Sequence, residues 1–125
     1  MSALLTTVLL ALALALPFTH AAPTNLHART AGDLTWYNPS AGTGACGQTY
    51  SDSNLVVAVS APLYDSLKPC GRSIRVAGPA GTVEVTVVDR CGGCAYHDLD
   101  LSPAAFKKAV GDLGVGRTSA AWEWV

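Results

Sequence analysis

Short apolar segments separated by glycine, proline and asparagine recur along most of the chain, a pattern typical of a small all-β domain. Segments of strand length with alternating or continuous apolar residues predict strands over 33–38, 54–60, 72–78, 82–90 and 118–125. The segment 54–60, NLVVAVS, is almost entirely apolar, and we therefore expect it to be buried on both faces of a sheet.

Two short helices are also predicted. Ser60 is expected to cap a helix over 61–67, and Ser102 to cap a second helix within 102–111, where Pro103 takes the first helical position. Five or more short strands, two small helices and no internal repeat predict a mainly β domain, a small β-barrel.

The chain begins with an apolar stretch that has no charged side chain in its first 22 residues. This stretch predicts a secretory signal peptide over 1–21, cleaved after Ala21, since its apolar run is shorter than the roughly 20 residues of a membrane span. A polar, flexible arm is expected over 22–31 and the barrel domain over 32–125. The mature protein is thus expected to be extracellular, with no membrane contact after signal removal.

The charge of the chain indicates an uncharged partner. The formal net charge is -1 and only 14% of the residues are charged, so neither nucleic acid nor an acidic membrane surface would be attracted. We expect a monomer.

Four cysteines, Cys46, Cys70, Cys91 and Cys94, lie in the predicted mature domain. An even number of cysteines in a small secreted domain predicts two disulfides, for which the sequence alone allows three pairings. A zinc site is disfavoured because the chain has only one closely spaced pair, so no metal and no cofactor are expected.

Asp89 is the first candidate for a functional acid. Alternation along 82–90 predicts that it shares a face with Val83, Val85 and Val87 and ends their buried row at the rim of the barrel. A partly desolvated carboxyl group there would have a raised pKa and could donate a proton or accept hydrogen bonds from sugar hydroxyls. The alternative is a structural carboxylate that accepts backbone N–H groups and fixes the following turn.

A second pair of acids, Asp98 and Asp100, alternates with two leucines that are expected to point inward. The alternatives are a solvated loop residue for Asp98 and a helix cap for Asp100. The nearby rings of Tyr37 and Tyr96 suit stacking against sugars, whereas core packing is favoured for Trp36.

Three segments in this order, GDLTWYNPSAGTGACG, VTVVDRCGGC and DLDLSPAAF, resemble secreted double-psi β-barrel proteins. These are the rare-lipoprotein-A-like and loosenin-like proteins, relatives of barwin and of the first domain of expansins. The resemblance covers about residues 32–125 and implies a six-stranded double-psi β-barrel with one or two short helices, crossed by an open groove.

The resemblance also implies roles for individual residues. Asp100 matches the aspartate that expansins require to loosen walls, Asp89 a second groove aspartate, and Thr35 a groove threonine. Some relatives carry a groove tyrosine where this chain has Cys91, and Tyr96 is the candidate replacement. Barwin-like relatives imply that Cys46 pairs with Cys70, which leaves Cys91 with Cys94.

The function implied by the resemblance is non-hydrolytic binding and loosening of cell-wall polysaccharide: cellulose, chitin, xyloglucan or peptidoglycan. Relatives that cleave peptidoglycan use a histidine in a segment matching SAPLYD, which has none here. The protein is therefore not expected to be an enzyme. Two alternatives remain, a lytic transglycosylase or weak glycosidase with Asp89 as its acid, and a protease inhibitor or host-directed effector.

Overall fold

The computed structural model describes residues 11–18 and 29–125. The signal peptide predicted over 1–21 and the arm predicted over 22–31 therefore lie largely outside the described residues. Residues 11–18 have no regular secondary structure, and the first strand begins at Thr30, inside the range predicted for the arm.

Six strands close into a barrel in the spatial order β1-β5-β2-β4-β3-β6. Two pairs, β1 with β5 and β2 with β4, are parallel, and the other four pairs are antiparallel. The six-stranded double-psi barrel is thus confirmed. The strands are β1 Thr30–Trp36, β2 Val56–Ser60, β3 Ser73–Gly78, β4 Gly81–Cys91, β5 Leu99–Leu101 and β6 Thr118–Trp124.

Both predicted helices are confirmed, as α1 Ala61–Leu67 and α2 Pro103–Ala109. Each is capped by the expected serine, because the hydroxyl oxygens of Ser60 and Ser102 each accept a backbone N–H of the first turn at 3.3 Å. Phe106 buries its ring against the barrel. No helix within residues 11–18 and 29–125 has the length and apolar character to span a bilayer.

The core combines aliphatic side chains of the strands with four residues of the two helices and one tryptophan. All five residues of β2 are buried, as its continuous apolar sequence predicts. The core cluster comprises Leu34, Val57, Val59, Leu63, Ile74, Val76, Val83, Val85, Val87, Leu99, Leu101, Ala105, Phe106, Ala109 and Trp122.

A β-bulge in β4 changes the direction of Asp89. Val57 of β2 lies beside Val87, but the next residue, Ala58, lies beside Asp89, so Val88 is an extra residue in β4. The predicted alignment of Asp89 with the buried valine row is therefore wrong. The extra residue shifts the alternation by one position and turns Asp89 to the outer face, beside Ala58.

Candidate functional site

A row of four residues crosses the outer face of four neighbouring strands. Thr35 of β1 lies beside Asp100 of β5, Asp100 beside Ala58 of β2, and Ala58 beside Asp89 of β4. Paired residues of adjacent strands point to the same face, so all four side chains share one surface, which we call the polar row. Asp89 and Asp100 are separated by two strand spacings, about 10 Å between their Cα atoms. The structure thus brings together the three groove residues that the resemblance implied.

Asp100 is hydrogen-bonded and half-buried. The Thr35 hydroxyl donates to its Oδ1 at 2.8 Å. Burial raises the pKa of Asp100, the Thr35 hydrogen bond opposes this shift, and the negative charge of Asp89 adds to it. Because the pKa is raised overall, Asp100 keeps its proton to a higher pH than an ordinary aspartate.

Asp89 is held in a different environment. Its Oδ1 accepts the backbone N–H of Ala45 and that of Arg90, each at 2.8 Å. Oδ1 of Asp89 therefore has the structural role, accepting backbone N–H groups, that was the alternative to a functional acid. One of its donors belongs to the glycine-rich loop, residues 39–47. Among the described residues no hydrogen bond to Oδ2 is formed, although the Tyr37 hydroxyl group lies near the carboxylate.

The loop that carries Ala45 packs tightly on the bulge of β4. A Cβ atom on Gly44 would lie 2.6 Å from the carbonyl oxygen of Val88, so only glycine fits at this position. The N–H of Cys46 donates to the same Val88 oxygen at 3.2 Å. The loop and the bulge thus fix each other, and both support Asp89.

Tyr37 adds a buried hydroxyl group beside the two acids. It lies two residues after Thr35, and its own N–H donates to the carbonyl oxygen of Leu101 at 2.9 Å. Its hydroxyl oxygen is buried and has no hydrogen-bond partner among the described residues. Burial, followed by the charges of Asp89 and Asp100, raises the pKa of this hydroxyl far above its usual range, so it remains a donor.

Tyr96 belongs to a segment that lies to one side of the polar row, next to Ser60 of β2. Its carbonyl oxygen accepts the hydroxyl of Ser60 at 2.7 Å, and Ser60 lies two residues beyond Ala58 on the same face of β2. The segment that carries Tyr96 therefore crosses the outer face beyond the row. Its ring is 47% exposed and packs edge-on against His97, and no hydrogen bond among the described residues joins Tyr96 to either acid.

Two disulfides hold the surroundings of the row. Cys46 is bonded to Cys70 and Cys91 to Cys94, the pairing that the barwin-like relatives implied. The first disulfide holds the loop that packs against Asp89, because Cys46 belongs to this loop. The second joins the end of β4 to the segment that leads to Tyr96.

Arg117 is a cation beside the site, and no pattern in the sequence indicated its position there. Arg117 lies 3.1 Å from Oδ2 of Asp33 and 3.6 Å from Oδ2 of Asp98. Asp98 also accepts the backbone N–H groups of Asp33 and Ala95, each at 3.1 Å, so it is a structural acid rather than a solvated loop residue. These residues are brought together by the pairing of β1 with β6, which local sequence pattern does not reveal.

Several known proteins are similar to this chain. Expansin-like protein 2 of Dictyostelium discoideum is 36% identical over 97 residues, which cover 68% of this chain and 24% of that protein. The structure of a mutant Clavibacter michiganensis expansin in complex with cellohexaose has a TM-score of 0.71 and 35% identity, covering 78% of this chain and 50% of that chain. The Streptomyces papain inhibitor has a TM-score of 0.67 and 31% identity, covering 78% of this chain and 94% of that chain.

The chain spans about a quarter of the length of the expansin-like protein and half of the expansin structure. Residues 29–117 match the double-psi β-barrel family model described as lytic transglycolase. With the closed six-stranded barrel and its expansin-like relatives, this match shows that the chain belongs to the rare-lipoprotein-A-like double-psi β-barrel family, in its expansin-like branch.

Proposed function

We propose that this protein is secreted, binds cell-wall polysaccharide along the polar row, and loosens contacts between polysaccharide chains without cutting them. The observation that carries the proposal is the convergence of Thr35, Asp100 and Asp89 on one open face of the barrel. The cellohexaose complex of the Clavibacter expansin, a protein with the same barrel, supports a glucan as the bound polymer.

The polar row offers the groups needed to compete for sugar hydroxyls. The carboxylates of Asp89 and Asp100 accept hydrogen bonds, and the oxygen of the Thr35 hydroxyl, whose hydrogen is donated to Asp100, accepts a further one. Hydrogen bonds to an ionised carboxylate are shorter and roughly twice as strong as neutral ones. A bound chain would therefore exchange hydrogen bonds with its neighbours for hydrogen bonds with the protein. Tyr96 would contact a sugar that lies beside the row, on the side of Ser60.

The decisive experiment measures weakening of filter paper and of chitin sheets together with the release of reducing ends. We expect weakening by the wild-type protein, little or none by Asp100→Asn, and no sugar release by either protein. Glu84→Gln is the matched control, because it removes one charge from an exposed side chain elsewhere on β4. Equal weakening by Asp100→Asn and wild type would contradict the proposal.

Cleavage is the second candidate, and the different environments of the two acids favour it. A carboxyl group with a raised pKa beside a second carboxyl group that accepts two backbone N–H donors is an arrangement that suits general acid–base chemistry. In this alternative the acid would be Asp100, because its pKa is the raised one, and Asp89 would act as base. Oligosaccharide or muropeptide products, identified by mass spectrometry and absent with Asp100→Asn, would establish it.

Inhibition of a cysteine protease is the third candidate, since this chain covers nearly all of the papain inhibitor structure. Residual papain activity at increasing protein concentration tests it. Inhibition that Asp100→Asn retains in full, with no retention on polysaccharide, would favour a protein target over the polar row.

A further inference from the structure

We infer that the polar row selects glycans by charge: it accepts neutral chains, favours chains with free amino groups, and rejects chains with carboxylate groups. This inference rests on the proposed binding of polysaccharide at the row and names the substrate class. It is carried by the excess of carboxylates over free cations around the row.

The floor of the row carries two acids and no cation. Asp89 and Asp100 flank the small side chain of Ala58, and the Oδ2 of Asp89 is not used by the protein. The hydroxyl groups of Thr35 and Tyr37 complete this face, and neither carries a positive charge. A sugar lying across Ala58 would therefore meet carboxylates on both sides.

The cations beside the row are already neutralised. Arg117 contacts two carboxylates, those of Asp33 and Asp98, so this cluster keeps a net negative charge. Arg90, the residue after Asp89, is turned away into a two-point ion pair with Asp65, with both N–O distances at 3.0 Å. Both guanidinium groups are thus already paired with carboxylates of the protein.

The consequence differs for three kinds of glycan. A uronate or lactyl carboxylate at the row would be repelled and would find no free cation there. A neutral chain such as cellulose or chitin meets only hydrogen-bonding groups. The ammonium group of a glucosamine unit would pair with Asp89, and such partly exposed pairs contribute about two- to fivefold in affinity per contact.

The test compares four polymers at mildly acidic pH and low ionic strength: cellulose, carboxymethyl cellulose, chitin and chitosan. We expect chitosan to bind about two- to fivefold more tightly than chitin, and carboxymethyl cellulose to bind more weakly than cellulose. At about 1 M salt, where charges are screened beyond about 3 Å, the differences should collapse while binding to cellulose persists.

Variants separate this charge selection from nonspecific attraction. Asp89→Asn should reduce the preference for chitosan, and Asp100→Asn should reduce it less, because the raised pKa of Asp100 keeps more of this carboxyl group protonated at mildly acidic pH. Glu84→Gln, with the same change in net charge, should leave the preference intact. Circular dichroism identifies any variant that fails to fold. The remaining aspartate variant then decides whether the preference for chitosan depends on the polar row. Equal binding of chitin and chitosan, or tighter binding of carboxymethyl cellulose, overturns the inference alone. Failure to bind all four polymers overturns the proposed function as well.

Discussion

The two central aspartates differ in what surrounds them rather than in their chemistry. Asp89 accepts two backbone N–H groups at one of its oxygens. Asp100 accepts one hydroxyl and is raised in pKa by burial and by the charge of Asp89. One face of the barrel thus holds a carboxylate and a carboxyl group that retains its proton more readily, each ready for a different hydrogen bond.

The raised pKa of Asp100 predicts how its replacement changes stability with pH. A carboxyl group with a raised folded-state pKa favours folding fully below its unfolded pKa, and this contribution is lost as the pH rises through the folded pKa. We therefore expect Asp100→Asn to match the wild type at strongly acidic pH and to unfold at a higher temperature at neutral pH. Thermal melts across that pH range measure the effect.

Glu84→Gln, the control for this comparison, should shift the unfolding temperature little at any pH. A lower unfolding temperature of Asp100→Asn at neutral pH would contradict the prediction. It would mean that the hydrogen bond from Thr35 to the ionised carboxylate outweighs the costs of burial and of repulsion by Asp89.

Sequence reasoning, with the family resemblance, identified the two acids and Thr35, but it did not predict the other contacts around the acids. Asp89 and Asp100 stand out because each follows an apolar strand position, and the family resemblance adds Thr35. The buried hydroxyl of Tyr37 and the contacts of Arg117 depend on pairings between strands that are distant in the chain. Such pairings leave no trace in local periodicity.

Among the elements, the glycine-rich loop and β4 act as one unit. The loop donates the N–H of Ala45 to Asp89 and that of Cys46 to the bulge. The hydroxyl of Tyr64 on α1 donates to the carbonyl oxygen of Ala45 at 3.2 Å and supports the loop from the opposite side. The position of Asp89 therefore depends on a loop that is about 44 residues away in sequence.

Gly44→Ala should break this unit. The new methyl group would lie 2.6 Å from the Val88 carbonyl oxygen and 3.3 Å from Cγ of Asp89, so the loop must move away. We expect a loss of about 1 to 3 kcal/mol in the free energy of unfolding, in the range of overpacking substitutions, together with weaker polysaccharide binding. Urea denaturation and a pull-down assay measure the two effects.

Gly42→Ala, in the same loop, is the control, because a Cβ atom there meets nothing within 4 Å. It should retain both stability and binding. If Gly44→Ala behaved like Gly42→Ala, the tight contact between the loop and the bulge would not support Asp89.

The elements that sequence predicted well are those with local signals. The serine caps and prolines predict α1 and α2, and the continuous apolar run predicts β2. The three-residue strand β5 was not predicted as a strand, because Leu99–Leu101 is too short to show a period. Its strand character comes from its pairing with both β1 and β2.

At the scale of the whole molecule, the polar row depends on the two parallel strand pairs of the barrel. They bring β1, β5, β2 and β4 side by side although these strands are distant in sequence. A domain of this size has limited core area, so its cross-links make up a large share of its stability.

The two disulfides should contribute unequally to that stability. Cys46 and Cys70 are 24 residues apart, and on loop-closure entropy their bond contributes about 3 to 4 kcal/mol. Cys91 and Cys94 are 3 residues apart, and their bond contributes about 2 kcal/mol. Replacing each pair with alanine and measuring urea unfolding tests the order, and a larger loss for the Cys91–Cys94 pair would contradict it.

The extra residue in β4 also determines which sequence changes can create or remove the charged face. A substitution cannot move the Asp89 side chain from one face of the sheet to the other. The face is set by the number of residues that precede Asp89 in the strand. With Val88 retained but no bulge, regular alternation would bring the carboxylate into line with the valines, where an unpaired charge is strongly disfavoured. Deletion of Val88 would instead leave Asp89 directly after Val87 and still on the outer face beside Ala58. In a barrel built this way, one extra residue that a strand absorbs as a bulge decides whether the same sequence presents a carboxylate at its surface or forces it into its interior.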